Sequence, residues 1–111
     1  MTTPIATDST RIAADGLRNW ARHAFSAVGM PPEDAALLAT SLVQTSLWGV
    51  DTHGVARLPH YLERLTRGSI KPQPAPRIER TGPCTAQLHA DQGHGIVTAH
   101  RANRVAMDLA R

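Results

Sequence analysis

Apolar residues recur along most of this chain in steps of three and four, the spacing that puts them on one side of a helix. The first stripe joins Ala13, Leu17, Trp20, Ala21, Ala24, Phe25 and Val28 and stops at Gly29, a residue suited to the left-handed closing turn of a helix. Ser9 or Thr10 is its expected cap, after a tail over residues 1–8 without periodicity that reads as disordered. Pro31-Pro32-Glu33-Asp34 opens a second helix, because a fixed φ and two carboxylates suit the free N–H groups of a first turn. Its inward positions are Ala35, Leu38, Ala39, Leu42 and Val43, and it is predicted to run to about Leu47, before Gly49. Two helices joined by so short a turn pack antiparallel.

Val50-Asp51-Thr52-His53-Gly54 then reads as a capped turn into a third helix, with Val55, Leu58, Leu62 and Leu65 inward and an end near Gly68. Pro59 predicts a kink or a restart within it. Ile70 to Pro76 holds three prolines in seven residues and is expected to be extended. Arg77–Arg80 and Thr85–Ala90 alternate in polarity around Thr81-Gly82-Pro83, which predicts a β-hairpin. Asp91 to Gly95 turns the chain, and Ile96 to Arg111 carries helical spacing through Val97, Val105, Met107 and Leu109, still running at the last residue. The class is therefore α+β: a three-helix segment over 9–70, then a hairpin and a further helix over 71–111. Two strands alone make no stable sheet in water, so 71–111 reads as the start of a larger unit, and the chain as a fragment or as completed by a partner.

Composition narrows the function classes. With 41% apolar and 19% charged residues in 111, the chain suits a folded domain with one modest core. No apolar stretch approaches the roughly 20 residues that cross a bilayer, so no membrane role is expected. Cys84 stands alone and cannot form an internal disulfide, which points to a reducing cytoplasm. Twelve basic residues, eleven of them Arg, outweigh nine acidic ones by only +3 and lie singly. Nucleic-acid binding is therefore not the expected role, although a small Arg-rich helical module for an acidic partner or nucleic acid remains the alternative reading. The six histidines lack the spacing that brings two imidazoles to one ion, so no metal is expected. His23, His60, His89, His94 and His100 read as surface or hairpin residues. Gly93-His94-Gly95 begins like a dinucleotide fingerprint, but Thr98 stands where the third glycine would be, and the segment reads as a turn.

The third helix carries the candidate chemistry. His53, Arg57 and Tyr61 fall at i, i+4 and i+8, one face of a continuous helix. A guanidinium binds a carboxylate through two parallel hydrogen bonds, an imidazole exchanges a proton near neutral pH, and a phenol orients an oxygen. Thr52 adds a hydroxyl, Gly54 leaves room for a ligand to approach the backbone, and Trp48 stands ready to wall a pocket. Spacing alone favours a plainer reading: Thr52 as a cap, His53 and Tyr61 as polar rim, Arg57 as a solvated charge.

The run Leu47-Trp48-Gly49-Val50-Asp51-Thr52-His53-Gly54-Val55-Ala56-Arg57-Leu58-Pro59-His60-Tyr61, followed by Gly68 and Ile70, resembles the signature of the second malate/L-lactate dehydrogenase family. Thr81-Gly82-Pro83-Cys84 and Asp91-Gln92-Gly93-His94-Gly95 resemble its later segments, so the likeness spans nearly the whole chain. The resemblance implies a non-Rossmann oxidoreductase that moves a hydride between NAD or NADP and a small 2-hydroxy, 2-oxo or 2-imino acid. It implies His53 as the proton donor or acceptor, Arg57 as the partner of the substrate carboxylate, and Thr52 and Tyr61 as supporting donors. It also implies a homodimer in a longer protein, with 71–111 beginning the cofactor domain and a second histidine, its acidic partner and most cofactor contacts lying beyond Arg111. The family usually reads Asp-Ser-His-Gly; here Thr52 keeps the hydroxyl and adds a methyl group.

Overall fold

The computed structural model describes residues 10–111; the expected tail and the cap at Ser9 lie outside the described residues. Helix α1 (Ala14–Ala27) begins after an extended Ala13 with no side-chain cap, so Thr10 does not serve as one. Gly29 closes it with φ +102°. Helix α2 spans Pro32–Leu47, with Pro32 at its start and Glu33 and Asp34 in its first turn, as the sequence dictates. The α1–α2 contact is the main one in the molecule and is built on small residues: Ala21, Ala35 and Ala39 are fully buried beside Phe25, Leu38 and Leu42. Trp20, placed on the inward stripe by its spacing, is 58% exposed. It sits one position before Ala21, about 100° around the helix, and the α2 face is too narrow to cover both.

After α2 the chain makes two short 3-10 turns, Asp51–His53 and Val55–Arg57, before α3 (Leu58–Arg67). Pro59 thus lies in the first turn of α3, where its missing N–H costs nothing, and the restart expected there is realised. Leu58 and Leu65 are buried, and Gly68 ends α3 with φ +83°. The proline-rich segment leads to the antiparallel hairpin of β1 (Arg77–Arg80) and β2 (Ala86–His89), in the register Arg77 opposite His89 and Arg80 opposite Ala86.

Asp91 and Gln92 follow in the left-handed region, with φ +52° and +59°. The Asp91 carboxylate holds this turn by accepting the Ala75 N–H at 2.9 Å and the Lys71 ammonium at 2.8 Å. These two interactions, the backbone bond first, hold the Asp91 carboxyl below its ordinary 3.8. Helix α4 (Gly95–Leu109) then packs Val97 into the core against α2. It closes at Leu109 rather than running through Arg111, and Met107, one of the apolar residues that carried its spacing, is 50% exposed. The fold is α+β: four helices and one hairpin, in a body of 61 × 28 × 28 Å.

Candidate active site

The end of α2 positions the site. Trp48, Gly49 and Val50 donate their N–H groups back to Gln44, Ser46 and Thr45, and Gly49 takes φ +87°, so the chain reverses tightly. Ser46 then reaches forward: its Oγ accepts the Val55 N–H at 3.0 Å, nine residues along. Gly54 is buried against the same stretch of α2. A β-carbon on it would lie 2.8 Å from the Ser46 nitrogen, 3.0 Å from the Leu42 carbonyl oxygen and in collision with the Ser46 hydroxyl. The missing side chain therefore serves the approach of α2 and not that of a ligand.

This contact breaks the helix that the spacing predicts. Gly54 adopts φ −102°, ψ −129° between the two 3-10 turns, so His53 is not on α3 and does not share a continuous face with Arg57 and Tyr61. The structure joins three of the four candidate residues by another route. The Thr52 hydroxyl and His53 Nδ1 are hydrogen bonded at 3.0 Å, with the direction set by the imidazole tautomer. The Thr52 carbonyl accepts Arg57 Nε at 3.0 Å. Thr52 is thus the hub, fixing an imidazole with its side chain and a guanidinium with its backbone. Among the described residues, His53 Nε2 and the two terminal nitrogens of Arg57 have no partner. Thr52 and His53 are exposed and Arg57 is half-buried. Trp48, 74% exposed, walls nothing by itself.

Tyr61 goes elsewhere. It is half-buried against the core and meets the His94 ring edge-on, with centroids 4.3 Å apart and planes at 89°. No hydrogen bond links it to Thr52, His53 or Arg57. His94, read from sequence as a surface or hairpin residue, is 5% exposed. Its Nδ1 accepts the Ile96 N–H at 3.1 Å and so caps α4. Its position just before the helix was the available signal, since a side-chain acceptor is what the first free N–H groups need. The cap also bears on the Gly93-His94-Gly95 turn, because the Ile96 N–H that a phosphate would use is already taken. With that donor taken, the turn offers a phosphate one N–H fewer and serves as the cap of α4.

Burial pushes the His94 pKa below its ordinary 6.5, since the charged ring would lose its hydration. A lowered folded pKa means that the unfolded chain takes up the proton first on acidification. The stabilisation is therefore fully present above pH 6.5 and declines as pH falls through the folded pKa. Asp91 has the same sign in a lower window, with stability lost only as pH falls below 3.8. Urea midpoints measured at pH 7.5 and pH 5 should therefore differ in the native chain and converge in a His94→Asn variant. Equal midpoints in the native chain would show that His94 takes its proton unhindered.

The described residues thus hold four helices, one hairpin and a hydrogen-bonded Thr-His-Arg cluster. The malate/L-lactate dehydrogenase family model matches residues 12–111, and the chain belongs to that family. It is 36% identical over 101 residues to a malate dehydrogenase of Pyrococcus abyssi (strain GE5 / Orsay), covering 91% of this chain and 28% of that one. It is 34% identical over 101 residues to the ureidoglycolate dehydrogenase (NAD(+)) of Escherichia coli (strain K12), covering 91% of this chain and 29% of the relative. The solved malate dehydrogenase of Pyrococcus horikoshii OT3 superimposes with a TM-score of 0.89 at 31% identity, over 98% of this chain and 31% of that one. The chain thus spans less than a third of the length of these relatives.

Proposed function

We propose that this chain is the substrate-recognising first segment of an NAD- or NADP-dependent oxidoreductase acting on a small 2-hydroxy, 2-oxo or 2-imino acid, with malate, lactate and ureidoglycolate equally open. The observation that carries the reading is the Thr52-His53-Arg57 cluster, which ties an imidazole and a guanidinium to one residue while leaving their outward nitrogens without partners among the described residues. The family membership supports it, because the relatives named above are dehydrogenases.

The roles follow from the bonds. With Nε committed to the Thr52 carbonyl, Arg57 offers a carboxylate its two terminal nitrogens, end-on and in parallel. A 2-oxo acid held there carries its oxo oxygen on C2, the carbon bonded to the carboxylate, and the reading assigns that oxygen to His53. Nε2 of His53 gives a proton to that oxygen on reduction and takes it back on oxidation. Tyr61 serves as a further donor. The nicotinamide, when bound, supplies or accepts the hydride at C2. Its contacts are assigned to the part of the relatives that this chain does not span, as are the second histidine and its acidic partner. The reading also takes residues 71–111 as the start of the cofactor domain, and a homodimer in the cytoplasm as the working form.

A chimera tests it: residues 12–111 replace the corresponding segment of the Pyrococcus horikoshii malate dehydrogenase. NADH- or NADPH-dependent reduction of a 2-oxo acid is the expected result. A folded chimera that reduces no member of a 2-oxo and 2-imino acid panel sinks the reading.

A further inference from the structure

His94 is a costly choice for the position it fills. Asn, Asp or Ser would cap α4 with a small acceptor and leave nothing unsatisfied. With Nδ1 accepting from Ile96, the neutral ring carries its proton on Nε2, and that nitrogen is buried without a hydrogen-bond partner among the described residues. A buried donor left unpaired is a penalty that the fold carries for some other return. The ring has one aromatic neighbour within 5 Å, Tyr61, which meets it at right angles. The His60 ring also lies near Tyr61, with centroids 5.7 Å apart and tilted, and is exposed. The phenol itself has no hydrogen-bond partner among the described residues.

We propose that His94 is a positioning residue for Tyr61: its buried ring, packed edge-on, holds the Tyr61 ring in one orientation and so fixes the phenol for a ligand, while the separate bond to Ile96 caps α4. The donor on α3 is thereby aimed from the turn between the hairpin and α4. A shift of that turn would move the phenol while leaving Thr52, His53 and Arg57 in place. The functional meaning rests on the reading of Tyr61 as a substrate donor, but the mechanical claim does not.

Tyr61 is the chain's only tyrosine, so its ring and β-proton signals stand alone in a 13C-tyrosine NMR spectrum. In the native chain a single χ1 rotamer is expected, with cross-relaxation between the Tyr61 and His94 rings. His94→Asn keeps a cap acceptor and removes the ring. It should leave the Ile96 amide protected from exchange while the Tyr61 χ1 couplings average among rotamers. His94→Phe keeps the ring and removes the cap: the Ile96 amide should lose protection while Tyr61 stays in one rotamer. A Tyr61 that remains fixed in a folded His94→Asn variant overturns the proposal. If that variant does not fold, His94→Phe decides, and an averaged Tyr61 there overturns it as well. Neither result bears on the carboxylate-binding reading, which the chimera judges separately.

Discussion

Gly54→Ala is expected to destabilise the chain by about 2–4 kcal/mol, since an overpacked contact costs roughly 1–3 and a displaced Ser46 also loses its bond to Val55, about 1 more. The magnitude follows from what the new methyl group would meet. A side-chain oxygen can rotate away, but the Ser46 nitrogen at 2.8 Å and the Leu42 carbonyl at 3.0 Å belong to the backbone of α2. The 3-10 turns must therefore lift off the helix, carrying Thr52 and His53 with them. At roughly 4–8 °C per kcal/mol for a domain of this size, Tm should fall by about 10–30 °C. Gly16 is the internal control: it lies in exposed α1 with nothing within 4 Å of an added β-carbon. Gly16→Ala should stabilise the chain by up to about 1 kcal/mol through helix propensity. If both variants melt together, the close approach of Gly54 to α2 is not what holds the turn.

The second large effect concerns ligand rather than fold. Arg57→Met in the chimera is expected to weaken binding of the acid by about 2–4 kcal/mol, because a charge-assisted hydrogen bond contributes roughly 1.5–3 and the end-on pair makes two. In steady-state terms KM should rise roughly 30- to 1000-fold. Arg57→Lys should recover only part of this, because an ammonium restores the charge but cannot present two parallel donors. The bond to the Thr52 carbonyl sharpens the distinction, as it fixes the plane of the fork before any ligand arrives. Unchanged KM in both variants would remove Arg57 from the site.

What the sequence disclosed and what it hid divide along a physical line. Helix α2 was legible at both ends, because proline and two acids mark its start and Gly49 marks its close. The hairpin was legible from alternation, as were the inward leucines of α3. All of these are local signals. The break at Gly54 was not legible, because it answers to Ser46 and Leu42 across the fold and not to its neighbours in the chain. The same holds for Trp20, left outside by the width of the α2 face, and for His94, buried because Tyr61 and the core close over it. Within the candidate site, spacing found Thr52, His53, Arg57 and Tyr61 as residue types. It expected one helical face, whereas hydrogen bonds through Thr52 gather the first three, and Tyr61 leans on a partner that spacing passed over.

The hairpin has a consequence for handling. Among the described residues its two strands pair only with each other, so each offers an outer row of amide and carbonyl groups to any third strand that comes along. Arg77, Glu79 and Arg80 place alternating charge along β1, which slows such ribbon-to-ribbon growth without preventing it. Concentrated solutions of this chain are thus exposed to edgewise self-association, and dilute, moderately low-salt buffers, in which its net charge of +3 repels other copies at longer range, are the favourable condition.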